Sequence, residues 1–120
     1  MKSLLKQFSE YVGGRESRKS YWLTVISISF FSVFFLSFIK SGHLSDDIIL
    51  FIKIYSYLVL PFVFVVLAAR RLHDTNNNGW LSLLMLIPCL GPLSLLFYLV
   101  QAGDVGENQY GPDPYETEKK

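Results

Sequence analysis

The run Tyr21-Trp22-Leu23-Thr24-Val25-Ile26-Ser27-Ile28-Ser29-Phe30-Phe31-Ser32-Val33-Phe34-Phe35-Leu36-Ser37-Phe38-Ile39 decides the fold. It has 14 apolar residues in 19 positions and no charge. As a helix it would be about 28 Å long, close to the hydrocarbon core of a bilayer, roughly 30 Å. Two further runs, 48–69 and 80–100, share this character. Together the three hold 62 residues, 49 of about 61 apolar residues, and one of the 21 charges, Lys53. A soluble domain instead spreads its apolar positions along amphipathic elements. The distribution excludes a soluble globular domain, a disordered chain and a secreted disulfide scaffold. The expected fold class is all-α: a small multi-pass helical membrane protein with about three transmembrane helices plus a short N-terminal amphipathic helix.

The chain reads as a single membrane domain over 1–120. Residues 1–13 form an interfacial amphipathic helix, with Leu4, Leu5, Phe8, Tyr11 and Val12 on one arc and Lys2, Lys6, Ser9 and Glu10 opposite. Such a helix lies in the membrane surface; packing on the protein's own loops is the alternative. Gly13-Gly14 stops it, through the left-handed C-cap that glycine permits. No small-residue cleavage site follows the first run, so it reads as retained. Its stripe of Phe30, Phe31, Phe34, Phe35 and Phe38 reads as a lipid-facing or packing surface. Lys53 sits near the start of the second run and can snorkel to the interface. Pro61 should kink that helix.

The third run is interrupted by Pro88, Gly91 and Pro92. Two outcomes stay open: one kinked crossing, which its length favours, or a re-entrant hairpin. Cys89, the single cysteine, is expected as a buried apolar packing residue. Residues 101–120 are rich in turn formers and read as an irregular tail, frayed at Glu116–Lys120. Lys and Arg number five before the first run, one in 40–47, two in 70–79 and two in the tail. The positive-inside rule then puts the N-terminus and the Arg70-Arg71 loop in the cytoplasm. The balance is seven against three for a crossing and nine against one for a hairpin, so charge favours the hairpin.

Three polar stretches are separated by the apolar runs. They are Gly14-Arg15-Glu16-Ser17-Arg18-Lys19-Ser20-Tyr21-Trp22, then Arg70-Arg71-Leu72-His73-Asp74 leading into Gly79-Trp80, then Gly106-Glu107-Asn108-Gln109-Tyr110-Gly111-Pro112-Asp113-Pro114. In this order, over about residues 10–114, the chain resembles the bacterial inner-membrane family called domain of unknown function 805. That family often has glycine and serine where this chain has Asn76 and Asn78, and asparagine also tolerates a left-handed turn. The resemblance implies a small multi-pass protein of the bacterial inner (plasma) membrane and no established activity.

The candidate site gathers Arg15, Arg18, Arg70, Arg71, His73 and Asp74 at the cytoplasmic interface, for an anionic headgroup or a partner. Four cations at one place repel unless Asp74, Glu16 or a lipid phosphate lies among them; with the tail inside, Glu107 and Asp113 would join. Asn108, Tyr110 and Asp113 make the tail either a docking surface or a structured turn covering loop ends. No catalytic constellation, phosphate loop or metal set is visible, so no enzyme activity, cofactor or metal is expected. The expected partners are membrane lipids, with an unidentified membrane protein or a homo-oligomer beside them, and no nucleic acid. The function expected is a non-catalytic scaffold, accessory or partner- or lipid-binding membrane protein; the alternative is a subunit of a small oligomeric transporter or channel.

Overall fold

The computed structural model describes residues 1–118. Helix α1 (Lys2–Gly13) follows the predicted apolar arc and buries none of its residues fully. It leans on a later helix through Phe8, stacked on Phe62 at 6.2 Å, and through Tyr11, whose ring lies 4.0 Å under the Arg70 guanidinium. The predicted left-handed cap is absent: Gly14 is extended (φ −77°, ψ −179°), because the chain must run straight on to deliver Arg15 and Glu16. Ser17 then caps α2 (Arg18–Lys40), its side chain accepting from the Ser20 amide at 3.2 Å.

Helix α2 has 23 residues, about 34 Å. Its serines do not break the apolar surface. Ser27, Ser32 and Ser37 donate to the carbonyls of Leu23, Ile28 and Val33, one turn back on the same helix. That satisfies hydroxyls that lipid cannot. The phenylalanine stripe faces outward, with Phe30 68% exposed. In water so large an apolar face would aggregate; in a bilayer it is solvated.

The second run forms α3 (Asp46–Ile54), one π-helical turn (Tyr55–Val59) and α4 (Leu60–Asp74), continuous over 29 residues. Asp46 and Asp47 occupy its first turn, where the helix dipole favours carboxylates. Pro61 explains the wide turn. A proline inside a helix lacks an N–H and pushes against the carbonyl four residues back, here that of Tyr57; the π turn gives that carbonyl room. Among the described residues, α2 and this continuous helix are the two long and apolar enough to cross a membrane.

The third run is not one helix. Asn78 caps a 3₁₀ segment (Gly79–Leu86) by accepting from the Trp80 amide at 3.0 Å. The chain turns at Ile87–Cys89 and returns as α5 (Leu90–Val100). Eleven residues make about 17 Å, too short to cross. Both ends of the run lie at the end of α4, since Gly79 abuts His73 and the Leu99 carbonyl accepts from Arg71. Length had favoured a crossing; the prolines override it by removing donors midway, and the run folds as a hairpin. Gly91 permits the close return: a Cβ there would fall 1.6 Å from the Leu84 carbonyl oxygen. Cys89 is corrected too. It is exposed at the turn, with φ +64°, and is not a core residue.

Tyr21, Leu67, Ala68, Leu72, Leu95 and Leu99 form the core, where the start of α2 and the ends of α4 and α5 meet. The tail covers this end. It ends in a short helix, α6 (Pro114–Glu118), where Asp113 accepts from the Tyr115 amide, so Glu116–Glu118 are helical. Lys119 and Lys120, the rest of the stretch expected to fray, lie outside the described residues.

Candidate functional site

Arg71 and Asp74 are three apart on α4 and so share a face. Arg71 Nη1 meets Asp74 Oδ2 at 2.5 Å, and both side chains are 0% exposed. The extended stretch after α1 brings Arg15 to the other carboxylate oxygen, with Nε and Nη2 at 3.1 and 3.0 Å from Oδ1. Asp74 thus lies between two guanidiniums. Their remaining donors go to backbone carbonyls. Arg15 donates to Asp104, Gly106 and Gly111, at 2.6, 2.5 and 3.2 Å. Arg71 donates to Leu99 at 3.2 Å, Glu16 at 3.4 Å and Gln101. Two arginines therefore tie the α1–α2 connection, the end of α4, the end of α5 and the tail into one knot.

Gly103 closes it. The Asp104 amide donates to the Asp74 carbonyl at 2.7 Å, and a Cβ on Gly103 would sit 1.8 Å from Asp74 Oδ2. Only a residue without a side chain lets the tail pass here. A second pair flanks the first: Arg70 meets Glu16 at 2.6 Å, and Ser20 donates to the same carboxylate. Three guanidiniums face two carboxylates, leaving one formal positive charge. Burying such a set gains little net stability, but removing one partner costs about 3–5 kcal/mol because its mate stays buried and uncompensated.

His73 and Asp74 do not pair. Successive helical residues point about 100° apart, and the His73 ring turns toward α1. Its Nδ1–H donates to the Gly14 carbonyl at 3.1 Å. Tyr110 stacks on the ring at 3.9 Å and 11°. Asn108 donates to the His73 carbonyl at 2.9 Å and accepts from the Tyr110 amide. Asp113 accepts from the Gly106 amide at 2.9 Å. The tail is thus a structured cover over the loop ends. Arg18 lies outside the knot, exposed, reaching the Val100 carbonyl at 3.4 Å. Glu107 is also exposed. Asn76 takes the left-handed conformation that asparagine tolerates, φ +58°, whereas Asn78 is extended at φ −68°. Among the described residues no group of three or more His, Cys, Asp or Glu could hold a metal.

Beside the knot, α1, α4 and the 3₁₀ segment enclose a cleft of about 420 Å³. Phe8 and Val12 line one wall, Phe62 and Val66 the other, with His73 and Ser82 among its polar lining residues. Neither Ser82 nor Gly103 was a candidate from sequence, since only the folded tail and hairpin give them meaning.

Residues 11–112 match a family described as protein of unknown function (DUF805). The chain belongs to this family. The matched range spans the knot from Tyr11 to Gly111. Inner membrane protein YhaH of Escherichia coli (strain K12) is 40% identical over 115 residues, covering 92% of this chain and 93% of that one. Inner membrane protein YhaI of the same strain is 36% identical over 118 residues, covering 95% and 96%. No solved structure matches. The relatives support an inner-membrane location, in keeping with the all-α membrane fold.

Proposed function

We propose that this family member is a non-catalytic inner-membrane protein that binds lipid or a membrane partner at its cytoplasmic face. One observation carries the reading: Arg15, Arg71, Asp74, His73 and Asp113 of the three motifs are spent inward, while Arg18 and Glu107 stay exposed. Asp74 is held by Arg15 and Arg71, His73 Nδ1 by the Gly14 carbonyl, and Asp113 by backbone amides. Such a set holds loops together and offers no positioned acid–base pair. In this reading α2 and the helix Asp46–Asp74 each cross once, the hairpin dips in from the knot side, and both termini are cytoplasmic. Nine Lys and Arg then lie inside against Lys40 outside, which the positive-inside rule supports.

The test is purification from native membranes in mild detergent, with mass spectrometry of companions. The protein should stay in the membrane pellet through alkaline carbonate and carry a lipid or protein in fixed ratio. Release by carbonate, or a chemical turnover abolished by His73→Gln, would overturn it. A transporter subunit is the second reading. It is favoured by a cleft of about 440 Å³ between α2 and α3, where Ser27, Ser32, Tyr55 and Ser56 meet at the π turn. Solute flux through reconstituted protein, lost in Lys53→Gln, would favour it.

A further inference from the structure

We propose that the cleft between α1, α4 and the 3₁₀ segment is a binding site for one anionic phospholipid. The inference rests on the membrane reading above, with the α4 terminus at headgroup depth. The cleft has the layout of an amphiphile. Its apolar wall follows one face of α4 at helical spacing, Phe62, Val65, Val66 and Ala69. That stretch is about 10 Å long and runs from the arginine end toward the bilayer centre. Phe8 and Val12 of α1 face it one turn apart. A volume of about 420 Å³ lies low in the range of ligand cavities, roughly 300–1,000 Å³, and suits one acyl chain better than a whole lipid.

The other end is polar and lies at headgroup depth. Ser82 is 2% exposed and lines the cleft. A hydroxyl in the wall of an apolar cleft is a hydrogen-bond donor for an acceptor oxygen bound there. His73 stands beside it, with Nδ1 committed to Gly14 and Nε2 at the Gly79 wall. The phosphate and ester oxygens of a glycerophospholipid supply such acceptors at that depth. Charge selects an anionic head. The knot beside the cleft keeps one formal positive charge, and Lys19 is exposed in the first turn of α2.

The experiment uses the full chain in phosphatidylcholine nanodiscs. Phosphatidylglycerol with a diazirine on its acyl chain is added, and labels are mapped by mass spectrometry. Labelling should concentrate on Val12, Val65 and Leu83, above the level at lipid-exposed Phe34, and unlabelled phosphatidylglycerol should compete it away. Ser82→Ala should lower cleft labelling about fivefold, the worth of one hydrogen bond, with labelling at Phe34 and the melting temperature unchanged. Val66→Trp, which fills the cleft, should abolish it. Cleft labelling no higher than at Phe34, or indifferent to both variants, would overturn the site. Equal labelling by a phosphatidylcholine or fatty-acid probe would overturn the anionic phospholipid as its occupant. Carbonate release would sink the membrane reading itself; a reconstituted protein with an unlabelled cleft would sink only this inference.

Discussion

Asp74 carries more of this structure than any other side chain, because two buried guanidiniums depend on its charge. Asp74→Asn keeps the shape and removes the charge, so Arg15 and Arg71 would face each other uncompensated. The expected loss is about 3–5 kcal/mol, read as a lower melting temperature in detergent and lower abundance. Gly103→Ala should destabilise in the same assay, because its Cβ would collide with the carboxylate. Glu107→Gln, at an exposed position, should change neither readout. Unchanged melting in the first two variants would show that the knot does not form. The motif residues were visible in sequence, and so was the need for Asp74 and Glu16 among the cations. Their burial was not. Arginines beside a helix end look like headgroup ligands, and Arg71 is buried only because the chain returns at Leu99–Gln101 to accept from it.

At the scale of elements, α1 was legible because its apolar arc has a helical period and its lysines oppose it. Its contact with Phe62 was not, since that depends on where α4 ends. Leu4 and Phe8 are both exposed enough to meet lipid. A peptide of residues 1–14 carrying Leu4→Asp and Phe8→Asp should bind anionic vesicles much more weakly than the parent in a flotation assay. Equal binding would remove the interfacial role and leave only packing against α4. The third run shows the opposite case. Composition alone could not separate a kinked helix from a hairpin, because both use the same residues. Lys and Arg counts leaned toward the hairpin, and the close approach of Gly91 to Leu84 is what a hairpin requires.

For the whole molecule, the prediction is topology. Single cysteines at Lys19, Ser45, Asn76 and Glu107, in a background lacking Cys89, should be probed in intact cells with an impermeant thiol reagent. Position 45 should label, and 19, 76 and 107 should be protected until the membrane is opened. Labelling at 19 or 76 from outside would invert the orientation, and labelling at 107 alone would mean that the third run crosses. The sequence by itself determined the solvent of this protein. Three apolar runs with one charge among them cannot be buried by a chain of 120 residues, so lipid must cover them. It also determined that α1, α2 and a long second helix form, since apolar period and run length are local. Only the tertiary structure decided that the third run turns back and that Arg15, Arg71 and Asp74 lie inside. It also decided that α1 stands off α4 and leaves a cleft. Each of these depends on contacts between residues far apart in the chain, whose free energy no local pattern records.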